Sequence, residues 1–215
     1  MANAITVGRL ILLFVAVFVL YRGSVTAIAI AAIAIGVAIL LDGLDGWVAR
    51  RYNETGPLGA AFDIAGDRIA ENVLWVVYAD LGLIPIWVPL LMLTRGFLVD
   101  SLRAIGYGEG KTAFGENNMM RSPLTTWLTA GRPMRLIYGW AKLIAFVFLG
   151  GMVAYQNRDA SGTLLGDLYA WDPFRWFGWA CVWGSVILSI VRGVPVVYDA
   201  FLTYGRDAKV KPVSE

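Results

Sequence analysis

A chain of 215 residues that is 58% hydrophobic and 16% charged, with nine tryptophans, is too apolar for a soluble domain of its size and reads as an integral membrane protein. Its net charge of +2, without a long basic or acidic run, gives no footprint for nucleic acid. Histidine is absent, which removes Ser-His-Asp hydrolysis, His-ligated zinc and histidine-dependent phospholipase chemistry and leaves proton transfer to a carboxylate, Lys, Tyr or Cys.

A bilayer-crossing helix needs about 20 mostly apolar residues, and six runs meet that need: 5–21, 25–48, 64–84, 86–105, 136–156 and 176–199. A lipid-spanning chain satisfies its backbone internally, so all six are expected as α-helices of an all-α polytopic protein. The first run is expected to be a helix and not a cleaved leader, since the next apolar run follows at once. No repeat or low-complexity segment interrupts the chain, and only the connections 106–135 and 157–175 are long. Residues 1–215 therefore read as one membrane domain.

Basic residues set the orientation. With the N-terminus cytoplasmic, Arg9, Arg50, Arg51, Arg68, Arg103, Lys111, Arg121, Arg132, Arg135, Arg206, Lys209 and Lys211 fall at or near the inner face, against Arg22, Arg158 and Arg175 outside. Both termini and the 106–135 loop are then cytoplasmic. Small residues in "AIAIAAIAIGVAIL" suggest close packing of the second helix. The aromatic stretch "LYAWDPFRWFGWACVW" at 168–183 reads as an interfacial belt on the outer face, and Cys181 within it as ordinary core.

The stretch "LLDGLDGWVARRYNETGPLGAAFDIAGD" at 40–67 departs from this apolar pattern. Asp42 and Asp45 share a helix face that Gly46 and Ala49 extend with almost no side chain, and Arg50 lies one turn beyond Gly46. Gly56 and Pro57 break the helix. Asp63 and Asp67, four apart, then share a face of the next helix. A turn between neighbouring helices can bring the two pairs together at the cytoplasmic membrane edge.

Like charges about 4 Å apart repel by roughly 4 kcal/mol per pair at an effective dielectric near 20. Four carboxylates therefore need cations, and oxygen donors without His or Cys favour two hard divalent ions, Mg²⁺ or Mn²⁺. Such ions commonly act on phosphates. Solvated helix-end acids would account for one pair, but two pairs flanking a turn in an apolar chain argue for a functional site. A transporter for a divalent cation would also carry such acids, although its site more often lies near the bilayer midplane.

Residues 42–67 read D-x-x-D-G-x-x-A-R-x8-G-x3-D-x3-D without a departure, which resembles the signature of the CDP-alcohol phosphotransferases. That resemblance implies a six-helix, usually dimeric membrane enzyme that displaces CMP from a CDP-linked lipid by an alcohol. It further implies that Asp42, Asp45, Asp63 and Asp67 bind two metals and that Asp67 serves as general base. Gly46, Ala49, Arg50 and Gly59 would lie against the cytidine diphosphate.

Two further stretches bear on the acceptor. "TRGFLVDSLR" at 94–103 is similar to the T-R-x3-V-x2-L-R pattern of bacterial phosphatidylglycerolphosphate synthases, and "GWAKLIAF" at 139–146 to their Gly-Lys segment. "NAITVGR" (Asn3, Thr6, Arg9) looks like the opening of their first helix. Arg95, Arg103 and Lys142 are then expected to hold an acceptor that carries its own phosphate. Glycerol 3-phosphate is the first choice and inositol phosphate the second, with CDP-diacylglycerol as donor, in a homodimer of a prokaryotic inner membrane.

Overall fold

The computed structural model describes residues 2–51, 57–108, 120 and 122–207, with the side chains of 2–4, 42–51, 57, 58, 60, 61, 107, 108 and 205–207 outside that description. The described residues form eight helices and no strand: α1 Ala2–Arg22, α2 Val25–Arg51, α3 Pro57–Asp80, α4 Trp87–Gly108, α5 Pro123–Ala130, α6 Arg132–Asn157, α7 Leu164–Ala170 and α8 Asp172–Asp207. The six expected helices correspond to α1 to α4, α6 and α8. The two long connections add α5 and α7.

Three segments among the described residues are long and apolar enough to cross a bilayer, Ile5–Arg22, Pro123–Asn157 and Asp172–Tyr204, and Val25–Leu41 is a shorter apolar helix. Helices α3 and α4 have the length but are interrupted by charge. Asp63, Asp67, Arg68 and Glu71 fall in α3, and Arg95, Asp100 and Arg103 in α4. The polar load thus falls where the sequence places its chemistry.

The chain divides into two units, residues 1–90 with 141–183 and residues 91–140 with 184–215. In the first, α1, α2, α3 and the later part of α6 bury Leu13, Leu20, Ile28, Ile35, Leu74, Trp75, Phe146 and Leu149. Trp75 meets Phe146 edge to face with ring centroids 4.8 Å apart. The buried Tyr78 hydroxyl donates to the Phe146 carbonyl at 2.7 Å, so α3 and α6 are joined by packing and by a hydrogen bond made away from water. Gly150 of α6 lies so close to α2 that a Cβ there would sit 2.8 Å from the Ala32 Cβ, the small-residue packing expected of α2.

Helix ends in this unit are tied by polar groups. Gly82 takes φ 77°, which glycine adopts without a Cβ clash, and lets the Leu83 amide return to the Tyr78 carbonyl at 3.0 Å. Arg158 donates to the carbonyls of Tyr21 and Gly23 at 3.0 and 3.2 Å, satisfying orphan acceptors at the end of α1. The aromatic stretch is partly core: Tyr169 stacks on Phe148 and donates to its carbonyl at 2.8 Å, while Trp171, Trp176 and Phe177 stay exposed.

In the second unit α5 begins at a capping box, with the Ser122 hydroxyl accepting from the Leu124 and Thr125 amides and Thr125 returning the bond to Ser122. Helix α8 presents Ser185, Ser189, Arg192, Val196 and Asp199 on its buried face. Arg192 donates to the Thr129 carbonyl at 3.0 Å and lies 5.2 Å from the Tyr138 ring centroid. Asp199 accepts from the Thr125 hydroxyl at 2.9 Å. These partners offset part of the cost of burying charge, while Arg192 Nε and Nη1 stay buried without a hydrogen-bond partner among the described residues.

Candidate active site

The four signature aspartates are divided between α2 and α3. The backbone of α2 is helical through Arg51, so Asp42, Asp45, Gly46, Ala49 and Arg50 all lie on its last turns, but their side chains are outside the described residues. The chain from 52 to 56 is outside them as well. Helix α3 then starts at Pro57, earlier than the apolar run suggested, because proline is suited to the first helical position where its missing N–H costs nothing. Gly59 is half-buried on the first turns.

Asp63, Asp67 and Glu71 follow at intervals of four on α3 and form one acidic face. Asp63 is half-buried and the Asp67 side chain is 47% exposed. From α1, the Arg9 guanidinium, only 3% exposed, donates through Nη1 to Asp67 Oδ1 at 3.0 Å. Gly66 makes this approach possible, since a Cβ there would lie 2.9 Å from Thr6 Cγ2 and 3.0 Å from Arg9 Nη2.

One turn further along, Glu71 is 8% exposed. Its Oε2 accepts from Lys142 Nζ of α6 at 3.1 Å and faces Arg68 Nη1 at 3.5 Å. Arg9, Asp67, Glu71 and Lys142 line a cavity of about 70 Å³ floored by Leu13, Ala38, Leu74 and Phe146. Charged groups above an apolar floor interact more strongly than they would in water. A carboxylate on this rim therefore stands beside fixed cations.

Of the sequence-predicted residues, Asp67 and Lys142 meet at this cavity. Arg95 and Arg103 belong to the second unit, where both are half-buried. Arg95 donates through Nε to the Ser189 carbonyl at 3.2 Å and packs against Gly193. An apolar groove of about 550 Å³ between α4 and α8 includes Arg95, Leu98, Val99, Val194 and Phe201 in its wall. Sequence reasoning missed Glu71, although its four-residue spacing from Asp67 was a usable signal.

Among the described residues, no group of three or more His, Cys, Asp or Glu side chains gathers as a metal cage. The donor chemistry nevertheless fits a hard divalent ion: Asp63 and Asp67 offer carboxylate oxygens one turn apart, and the chain has no histidine to offer nitrogen. Asp42 and Asp45 are the sequence's other donors.

A family model for CDP-alcohol phosphatidyltransferase matches residues 1–191. The chain is 28% identical over 180 residues to the CDP-diacylglycerol--glycerol-3-phosphate 3-phosphatidyltransferase of Wigglesworthia glossinidia brevipalpis, covering 80% of this chain and 96% of that one. It is 36% identical over 87 residues to the archaetidylinositol phosphate synthase of Aeropyrum pernix, covering 40% of this chain and 44% of the relative. The Bacillus subtilis CDP-diacylglycerol--glycerol-3-phosphate 3-phosphatidyltransferase is 25% identical over 91 residues, 42% of this chain and 46% of its own. Together with the uninterrupted aspartate signature carried by α2 and α3, the match over 1–191 means that the chain belongs to the CDP-alcohol phosphatidyltransferase family.

Proposed function

We propose that this protein transfers the phosphatidyl group of CDP-diacylglycerol to the hydroxyl of a phosphorylated alcohol, glycerol 3-phosphate, and releases CMP, a step of phospholipid biosynthesis. The observation that supports it most is the position of Asp67, the last signature aspartate, at the rim of a cavity that also carries Lys142. A base and a cation within one cavity suit an acceptor with a hydroxyl at one end and a phosphate at the other. The match across 96% of the Wigglesworthia relative favours glycerol 3-phosphate. Inositol phosphate is the second acceptor, favoured by the shorter match to the archaetidylinositol phosphate synthase. Family membership sets aside the transporter reading.

In the reaction, the Asp67 carboxylate takes the proton of the acceptor hydroxyl. The acceptor oxygen bonds to the phosphorus that carries diacylglycerol, and the anhydride bond to CMP breaks. Asp42, Asp45, Asp63 and Asp67 would hold two Mg²⁺ or Mn²⁺ ions. When bound, such ions neutralise the diphosphate and stabilise CMP as a leaving group. Gly46, Ala49, Arg50 and Gly59 take the cytidine diphosphate, the small residues allowing close approach and Arg50 a phosphate oxygen. Lys142 takes the acceptor phosphate, the role that the sequence also assigns to Arg95 and Arg103.

The proposed setting is a homodimer of one-domain chains in a prokaryotic inner membrane, each with six spans, both termini cytoplasmic and the site on the cytoplasmic face. Purified protein given CDP-diacylglycerol and a panel of alcohols, with each product identified by mass, tests the acceptor. Products from unphosphorylated alcohols in amounts equal to that from glycerol 3-phosphate would overturn the choice.

A further inference from the structure

We propose that Arg9 is a positioning residue for the reaction: by holding Asp67 Oδ1 it sets the orientation in which the carboxylate meets the reacting hydroxyl. The inference rests on the reading of Asp67 as base. A carboxylate at the end of two rotatable bonds, half exposed as Asp67 is, samples several orientations unless a partner fixes it. The Arg9 guanidinium supplies one such partner at 3.0 Å, in the hydrogen-bond geometry of a charge-assisted pair.

Three observations distinguish this contact from a chance surface ion pair. Arg9 is 3% exposed, so its guanidinium has been taken from water, which a surface pair does not require. Gly66, next to Asp67 in the chain, leaves the room through which Arg9 passes, and a single added carbon would press on both Thr6 and Arg9. Arg9 and Asp67 also line the same cavity as Lys142, so the held carboxylate borders the space assigned to the acceptor. Partners that orient catalytic groups are commonly worth 10- to 100-fold in activity.

The test combines Arg9→Ala, Arg9→Lys and Gly66→Ala in the full-length protein, assayed by CMP release with thermal melting followed in parallel. Arg9→Ala is expected to lower kcat by about 100-fold with KM for both substrates within about threefold of wild type. Guanidinium chloride at millimolar concentration should restore at least a tenth of the lost rate, a recovery that a merely structural role would not show. Arg9→Lys should retain more activity than Arg9→Ala. Gly66→Ala, which displaces the guanidinium without removing it, should lower kcat by about tenfold. Wild-type kcat in Arg9→Ala, or a loss that guanidinium leaves unrepaired, overturns the inference. If Arg9→Ala does not fold, Gly66→Ala decides, and a kcat within twofold of wild type contradicts the positioning role. Failure of the wild type to release CMP would instead count against the functional reading on which it rests.

Discussion

Lys142 of α6 donates to Glu71 of α3 across 3.1 Å, so a cation assigned to the acceptor phosphate is paired with a carboxylate of the protein. Glu71 is buried, and Lys142, which also lines the cavity, is partly exposed. The pair both joins two helices and fixes a charge at the cavity wall.

Glu71→Gln is expected to destabilise the protein by about 1.5–3 kcal/mol, the usual worth of a hydrogen bond to a charged group. Lys142→Met should cost a similar amount alone. Because the two share one interaction, the double variant should cost clearly less than the sum. Additive losses in a denaturation series in detergent micelles would show that the two side chains are not coupled.

Arg95→Ala should lower kcat/KM for glycerol 3-phosphate by about 10- to 150-fold, the loss of one charge-assisted hydrogen bond, while KM for CDP-diacylglycerol stays near wild type. Free glycerol, which has no phosphate for the guanidinium, should be a poor substrate that loses little further. Arg95 also donates to the Ser189 carbonyl. Melting of the variant must therefore be followed alongside its kinetics, and an equal fall for glycerol and glycerol 3-phosphate would assign Arg95 to structure alone.

Gly150→Leu should destabilise the first unit by about 1–3 kcal/mol through overpacking, since even a Cβ would press on Ala32. Gly8→Leu, where nothing lies within 4 Å of the added Cβ, is the matched control. Equal melting of the two variants would contradict the close approach of α2 and α6.

Orientation is tested in intact cells after Cys181→Ser, with Asn117→Cys as the reporter in the 106–135 loop. The excess of basic residues inside predicts no labelling by an impermeant reagent until the cells are opened. Labelling from outside would reverse the topology.

Much of this architecture is legible in the sequence because lipid imposes a simple rule, long apolar runs as helices, and α1, α2, α6 and α8 obey it. Pro57 reads as a break and proves also to be a start, since one residue can end one helix and suit the first turn of the next. Ser122 and Pro123 carried the cap signal of α5 inside what reads as loop. Arg192 and Asp199 are harder to see: an average over an apolar helix hides a single charge, and only packing shows which face it occupies. The pairing of Arg9 with Asp67 joins residues 58 positions apart, and no local pattern reports it.

Whether Asp67 removes the acceptor's proton is read from CMP release by Asp67→Asn beside wild type, with CDP-diacylglycerol, glycerol 3-phosphate and Mg²⁺ or Mn²⁺ present. The variant should fold and bind the CDP-lipid while kcat falls by about 10²- to 10⁴-fold. Turnover by Asp67→Asn at the wild-type rate would rule Asp67 out as the base.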